Sequence, residues 1–234
     1  MAISSNTLFH FTNEFKYLKQ SIEEGLWPRY CVEKKWNGKD FAIPMLCFCD
    51  IPLSQVKEHI GGYGCYGIGV TKEFARNNKI TPVTYLHQGS LLYNKLDYYI
   101  SKFQTPSTNH KEMEFEEMML YYIKKVSGYN KNSELKRKFY DEREWRYIPS
   151  ITDNTHLVIL TGKYDEVLIK NEMSKLTASC KLKLTPEDIK YIIVKEQSEI
   201  REVMGLLNRT YSNLKYYEQL YSKILTVRQI KEDF

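Results

Sequence analysis

Two carboxylates set two residues apart, Glu142 and Glu144 in Asp141-Glu142-Arg143-Glu144-Trp145-Arg146-Tyr147-Ile148-Pro149, are the residues of this chain best placed to do chemistry. The stretch follows a polar, basic segment and reads as the entrance to a strand. Side chains on a strand repeat with period two, so both acids would share one face, roughly 6.5 to 7 Å apart along the backbone. Paired carboxylates in such a place suit reaction at a sugar carbon. One positions or deprotonates the incoming group, and the other stabilises the positive charge that builds as a glycosidic bond breaks. The competing reading is a surface strand whose acids pair with Arg143 and Arg146.

The elements that must hold these acids follow from apolar spacing and punctuation. Leu8 to Phe11 reads as a strand containing His10. Thr12-Asn13 then reads as the cap of a helix carrying Phe15, Leu18 and Ile22 and ending at Gly25. A turn-rich stretch with Trp27-Pro28 and Asn37-Gly38 precedes a buried strand over Phe41 to Phe48, and Ser54 caps a short helix bearing Val56, His59 and Ile60. Ile68 to Val70 and Thr81 to Leu86 read as strands, with a short helix capped by Thr71 between them. Two helical stripes follow: Leu92, Leu96, Tyr99, Ile100 and Phe103, then Phe115, Met118, Met119, Tyr122, Ile123 and Val126. His156 to Leu160 and Tyr191 to Val194 read as further strands, Thr185-Pro186-Glu187-Asp188 as a helix start, and Thr226 with Gln229 as a capping box. Short strands interleaved with short helices, without a repeat, predict a mixed α+β fold. Gly62-Tyr63-Gly64-Cys65-Tyr66-Gly67 has the glycine spacing of a dinucleotide fingerprint, but it leads into a strand instead of opening a helix.

Composition sets the outer bounds. At 234 residues, 42% hydrophobic and 27% charged, the chain is expected to form a single domain over 1–234. It holds no apolar run near the roughly 18 residues of a membrane helix, and its first residues lack the layout of a secretion signal, which predicts a cytoplasmic protein without a membrane contact. Five cysteines without a Cys-x-x-Cys pair or a histidine cluster read as buried free thiols, so no metal is expected. The net charge of +5 is modest, yet Lys124, Lys125, Lys131, Lys136, Arg137 and Lys138 face only Glu134 within residues 124–138. This reads as a solvated basic loop, either a linker kept soluble by charge or a contact for a nucleic-acid or protein acceptor.

A strand with His10 followed by a helix, an aromatic strand with Phe48 followed by Ser54, and a late strand opening at Glu144 stand in an order that resembles the ADP-ribosyltransferase fold. Leu8-Phe9-His10-Phe11-Thr12-Asn13 with Ile22-Glu23-Glu24-Gly25-Leu26 is similar to the start of DarT-type transferases, and Glu142-Arg143-Glu144 resembles the Glu-x-Glu of transferases acting on arginine. That resemblance implies NAD as cofactor, held by His10, Thr12, Phe48, Ser54 and Tyr66. It also implies catalytic roles for Glu144, Glu142 and His10, with the basic loop selecting the acceptor. Over most of the chain, Leu8-Phe9-His10-Phe11-Thr12, the run Phe41 to Ser54, Tyr66-Gly67-Ile68-Gly69, Glu144-Trp145-Arg146-Tyr147 and Leu184-Thr185-Pro186-Glu187-Asp188-Ile189 resemble the AbiGi family of abortive-infection proteins. This resemblance implies the antitoxin-like half of a bacterial phage-defence pair whose toxin is AbiGii-like. Two functions stand side by side at this point: an ADP-ribosyl transfer site, and a non-catalytic antitoxin that restrains its partner by binding.

Overall fold

Strands from both ends of the chain and helices from its whole length build a mixed α+β fold. The computed structural model describes residues 5–36, 39–102, 115–129, 136–150, 158–160, 175 and 177–233. In chain order its elements begin with β1 (Thr7–Thr12), α1 (Phe15–Glu24), β2 (Arg29–Trp36), β3 (Lys39–Cys49), α2 (Val56–Tyr63), β4 (Tyr66–Thr71), α3 (Lys72–Asn77), β5 (Thr81–Pro82) and β6 (Thr84–Leu86). They continue with α4 (Leu91–Lys102), α5 (Phe115–Tyr122), β7 (Ile123–Lys125), β8 (Ser127–Tyr129), β9 (Lys136–Lys138), β10 (Glu144–Tyr147) and β11 (Val158–Leu160). Last come β12 (Ile189–Val194), α6 (Glu199–Tyr211), β13 (Ile224–Thr226) and α7 (Val227–Asp233). The chain divides into two compact units, one of Met1–Leu26, Cys47–Thr81 and Lys181–Phe234, the other of Trp27–Leu46 and Pro82–Cys180.

In the first unit β1 pairs antiparallel with β4 along its full length, from Thr7 opposite Thr71 to Thr12 opposite Tyr66. β12 lies antiparallel on the other edge of β4, and β13 runs parallel beside β12. Phe9, Ile51, Val56, Ile60, Ile193, Val227 and Ile230 form one apolar cluster that joins β1 and β12 to α2 and α7. Helix α1 buries Leu18 and Ile22 and stops at Gly25, whose φ of 99° suits glycine. It starts later than Thr12-Asn13, with Glu14 at the cap position and no side-chain capping bond. Two other caps are as read. Thr71 Oγ1 accepts the Phe74 N–H, and Thr226 and Gln229 exchange bonds in a closed capping box. Thr185 to Asp188 does not open a helix: the Asp188 carboxylate accepts both the N–H and the hydroxyl of Thr185, closing a turn that feeds β12.

In the second unit β2 pairs antiparallel with β3, with Arg29 opposite Met45 and Trp36 opposite Lys39. The stretch read as turns after Trp27-Pro28 is therefore largely a strand. β11 pairs with the start of β3, while β6 and β7 form a parallel pair. The second helical stripe is cut short. α5 ends at Tyr122, Ile123 opens β7, and the helix buries Glu117, Leu120 and Tyr121 instead of Phe115 and the methionines. The basic loop is likewise partly strand, because β8 and β9 pair from Ser127 opposite Lys138 to Tyr129 opposite Lys136. Asn37-Gly38, Phe103, Lys131, Glu134 and His156 lie outside the described residues.

At Gly64 the backbone has a φ of 124°, and an added Cβ would run into the Thr12 carbonyl. Gly64→Ala is expected to lower the unfolding free energy by about 1 to 3 kcal/mol in a urea titration, the usual cost of a strained backbone position.

Candidate functional site

The sequence candidates fall into two groups, one in each unit. His10, Thr12, Phe48, Ser54 and Tyr66 belong to the first, Glu142 and Glu144 to the second.

In the first group, β1 places His10 and Thr12 two residues apart, and the end of β3 brings Phe48 beside His10 with ring centroids 5.7 Å apart. His10 Nδ1 lies 2.9 Å from the Cys47 carbonyl oxygen. A carbonyl only accepts, so Nδ1 carries the proton of the neutral ring. Burial pushes the imidazole below its ordinary value, and the Cys47 carbonyl offsets this only in part. Phe48 is buried. Tyr66 is buried as well, stacks on Phe15 at 5.4 Å and donates its hydroxyl proton to Glu199 at 2.7 Å. Burial, reinforced by Glu199, pushes the Tyr66 phenol up. Ser54 sits exposed in the short 3₁₀ turn Leu53–Gln55 ahead of α2 instead of capping it.

The second group differs from the strand pair expected. Glu142 ends a 3₁₀ turn, Phe139–Glu142, and Arg143 takes a left-handed φ of 45° before β10 begins at Glu144. Period-two alternation therefore does not bring the acids together. Lys124 does: its ammonium donates to Glu142 at 2.7 Å and to Glu144 at 2.5 Å. The Lys124 side chain is only 12% exposed, so this lysine is a buried tie and not part of a solvated loop. Arg146, fully buried, donates through Nε to the other oxygen of Glu144 at 2.6 Å and through Nη2 to Glu33. Its Nη1 reaches the backbone carbonyls of Tyr121 and Ile123. The Glu144 N–H donates to the Tyr85 hydroxyl at 2.8 Å.

Burial opposes ionisation of Glu144, but the adjacent Arg146 and Lys124 charges outweigh it and hold the carboxyl well below the usual carboxylate range. Both of its oxygens are occupied by cations. That is not the open carboxylate a ribose hydroxyl of NAD would need, so no step through NAD is derived from it. Among the described residues no group of three His, Cys, Asp or Glu is arranged to hold a metal ion, and no helix is long and apolar enough to cross a membrane. Reading the sequence missed Lys124, Glu33 and Tyr85, whose roles depend on distant strands. Arg146 was legible as a partner of Glu144, since two residues along a strand place it on the same face.

The family model for abortive phage resistance protein AbiGi, described as an antitoxin, matches residues 24–195. The chain belongs to the AbiGi family. It is also 28% identical over 226 residues to abortive phage resistance protein AbiGi of Lactococcus lactis subsp. cremoris, a match covering 84% of this chain and 90% of that one. No solved structure matches the chain. The AbiGi match contains Glu33, Lys124, Glu142, Glu144 and Arg146, whereas His10 and Thr12 precede it.

Removing one member of a buried ion network leaves its partners uncompensated, so Glu144→Gln is expected to cost about 3 to 5 kcal/mol at neutral pH. A carboxyl held below its ordinary value contributes stability that is complete above that value, 4.5, and is lost as the pH falls beneath it. Chemical denaturation of both proteins across pH 7 to 3 should therefore show the wild-type advantage shrinking on the acid side. For His10, imidazole proton signals followed by NMR should titrate with a midpoint below 6.5.

Proposed function

We propose that this chain is a non-catalytic antitoxin of an abortive phage-resistance system, working in the bacterial cytoplasm and restraining an AbiGii-like toxin by direct binding. The observation that carries the reading is the state of Glu144. The acid that a transferase would turn toward its substrate has one oxygen on Arg146 and the other on Lys124, inside a network of low exposure. Such a carboxylate braces the fold and offers no free oxygen to a developing positive charge. The antitoxin description of the AbiGi family supports the same conclusion. The order of β1, α1, β3 and β10 keeps the arrangement on which the transferase resemblance rests, which supports an ADP-ribosyltransferase-like scaffold put to use as a binding protein.

The test pairs neutralisation with chemistry. Co-expression with an AbiGii-like toxin should restore host growth, and His10→Ala should restore it equally well. Purified wild-type chain incubated with NAD should release no nicotinamide, and calorimetry should register no heat of NAD binding. Nicotinamide release, or a neutralisation that fails in His10→Ala while the protein stays folded, would replace this reading with the transferase one.

A further inference from the structure

Helix α4 turns Tyr93, Leu96 and Ile100 into the core of the second unit. At about 100° per residue, the line diametrically opposite that buried stripe is Leu91, Lys95, Tyr98 and Lys102. An amphipathic helix ordinarily keeps this line polar. Here Leu91 is 85% exposed and Tyr98 59%, with Leu92 beside them at 42%. Lys102 steadies the ring of Tyr98, donating to its hydroxyl and lying 4.4 Å from the ring centroid. The four residues recur at steps of four, three and four, the spacing of a helix–helix seam, over a length of about 16 Å. Asp97, the helix's one acid, is half-buried and off the line.

The geometry points to this ridge as the docking line for an amphipathic, acidic helix of the toxin. The apolar stripe of that helix would meet Leu91, Leu92 and Tyr98, and its Glu or Asp residues would meet Lys95 and Lys102. Charge decides the occupant. The ridge carries two ammonium groups and no carboxylate, so an acidic helix is attracted, while a second copy of the ridge would bring further ammonium groups and no carboxylate to meet them. The inference rests on the antitoxin reading and names the surface through which it operates.

Full-length chain and purified AbiGii-like toxin can be titrated calorimetrically as wild type, as Leu91→Glu with Tyr98→Glu, and as Lys95→Glu with Lys102→Glu. All three proteins should keep the wild-type thermal midpoint, because every altered side chain faces solvent. The first variant should bind about 100-fold more weakly. The second should bind about 10-fold more weakly and lose most of the salt dependence. Wild-type affinity in both variants would overturn the ridge and leave the antitoxin reading standing. Weakening in the first variant alone would remove the acidic helix. A wild-type dimer in sedimentation that Leu91→Glu with Tyr98→Glu dissolves would assign the ridge to a second copy and overturn the proposal. Absence of toxin binding by the wild type would remove the antitoxin reading and the ridge with it.

Discussion

An ammonium held between two carboxylates, with a guanidinium behind them, is the contact on which the second unit depends. Three acids, Glu33, Glu142 and Glu144, surround two cations, Lys124 and Arg146, at positions where water is largely excluded. Each charge carries a desolvation cost of several kcal/mol, which only a nearly complete set of partners offsets. Arg146 has that set: Glu144 at Nε, Glu33 at Nη2, and two backbone carbonyls at Nη1. One of those carbonyls, of Tyr121, belongs to the last turn of α5, where helical carbonyls lack intrahelical donors and a cation is favoured. The guanidinium thus satisfies the end of the helix and the acid of β10 together. The chain passes from α5 into β7 at Ile123, the residue whose carbonyl it also reaches.

The first unit is stabilised on other terms. Its sheet is fastened by apolar packing around Phe9 and by side chains that cap or bridge nearby backbone. His10 reaches the Cys47 carbonyl across the β1–β3 contact, while Tyr66 ties β4 to the first turn of α6 through Glu199. Glu199 in turn accepts the Glu196 N–H with its second oxygen. Two of the polar groups that the sequence puts forward for NAD, His10 and Tyr66, are therefore already engaged in joining elements. The same residue types serve either purpose, and only their partners tell the two apart.

What could be read in the sequence was what depends on neighbours along the chain. β1, the core of β3, β4, β10 and β12 announce themselves by dense or alternating apolar residues, and Thr71 and the Thr226–Gln229 box by capping chemistry. β2 was missed because Arg29-Tyr30-Cys31-Val32-Glu33-Lys34-Lys35-Trp36 carries too many charges to look like a strand. Its place is won by pairing with β3. Helix α6, with Val203, Leu206, Leu207 and Tyr211 buried at helical spacing, carries a signal just as local. Thr185-Pro186-Glu187-Asp188 has the letters of a helix start, but Asp188 bonds back to Thr185 and ends the turn. Lys124 illustrates the deeper limit. In its own segment it is one more lysine in a basic run, and its partners lie 18 and 20 residues away.

That distance also explains why the network can specify a structure as well as stabilise one. β7 is three residues long and joins β6 through a parallel ladder, a register that so short a strand defines weakly by itself. A slip of one residue in the direction that moves Lys125 away would carry Lys124 to the opposite face and leave Ile123 before the acids. Lys125 now sits half-buried, its ammonium pushed below its ordinary value by burial. The slipped arrangement would leave Glu142 and Glu144 confronting each other without the shared ammonium, and like charges in a low-dielectric interior repel strongly. Two carboxylates needing one lysine therefore disfavour that slip of β7 along β6. Under the proposed binding role, a fixed surface gains more from that selectivity than from a freely accessible glutamate.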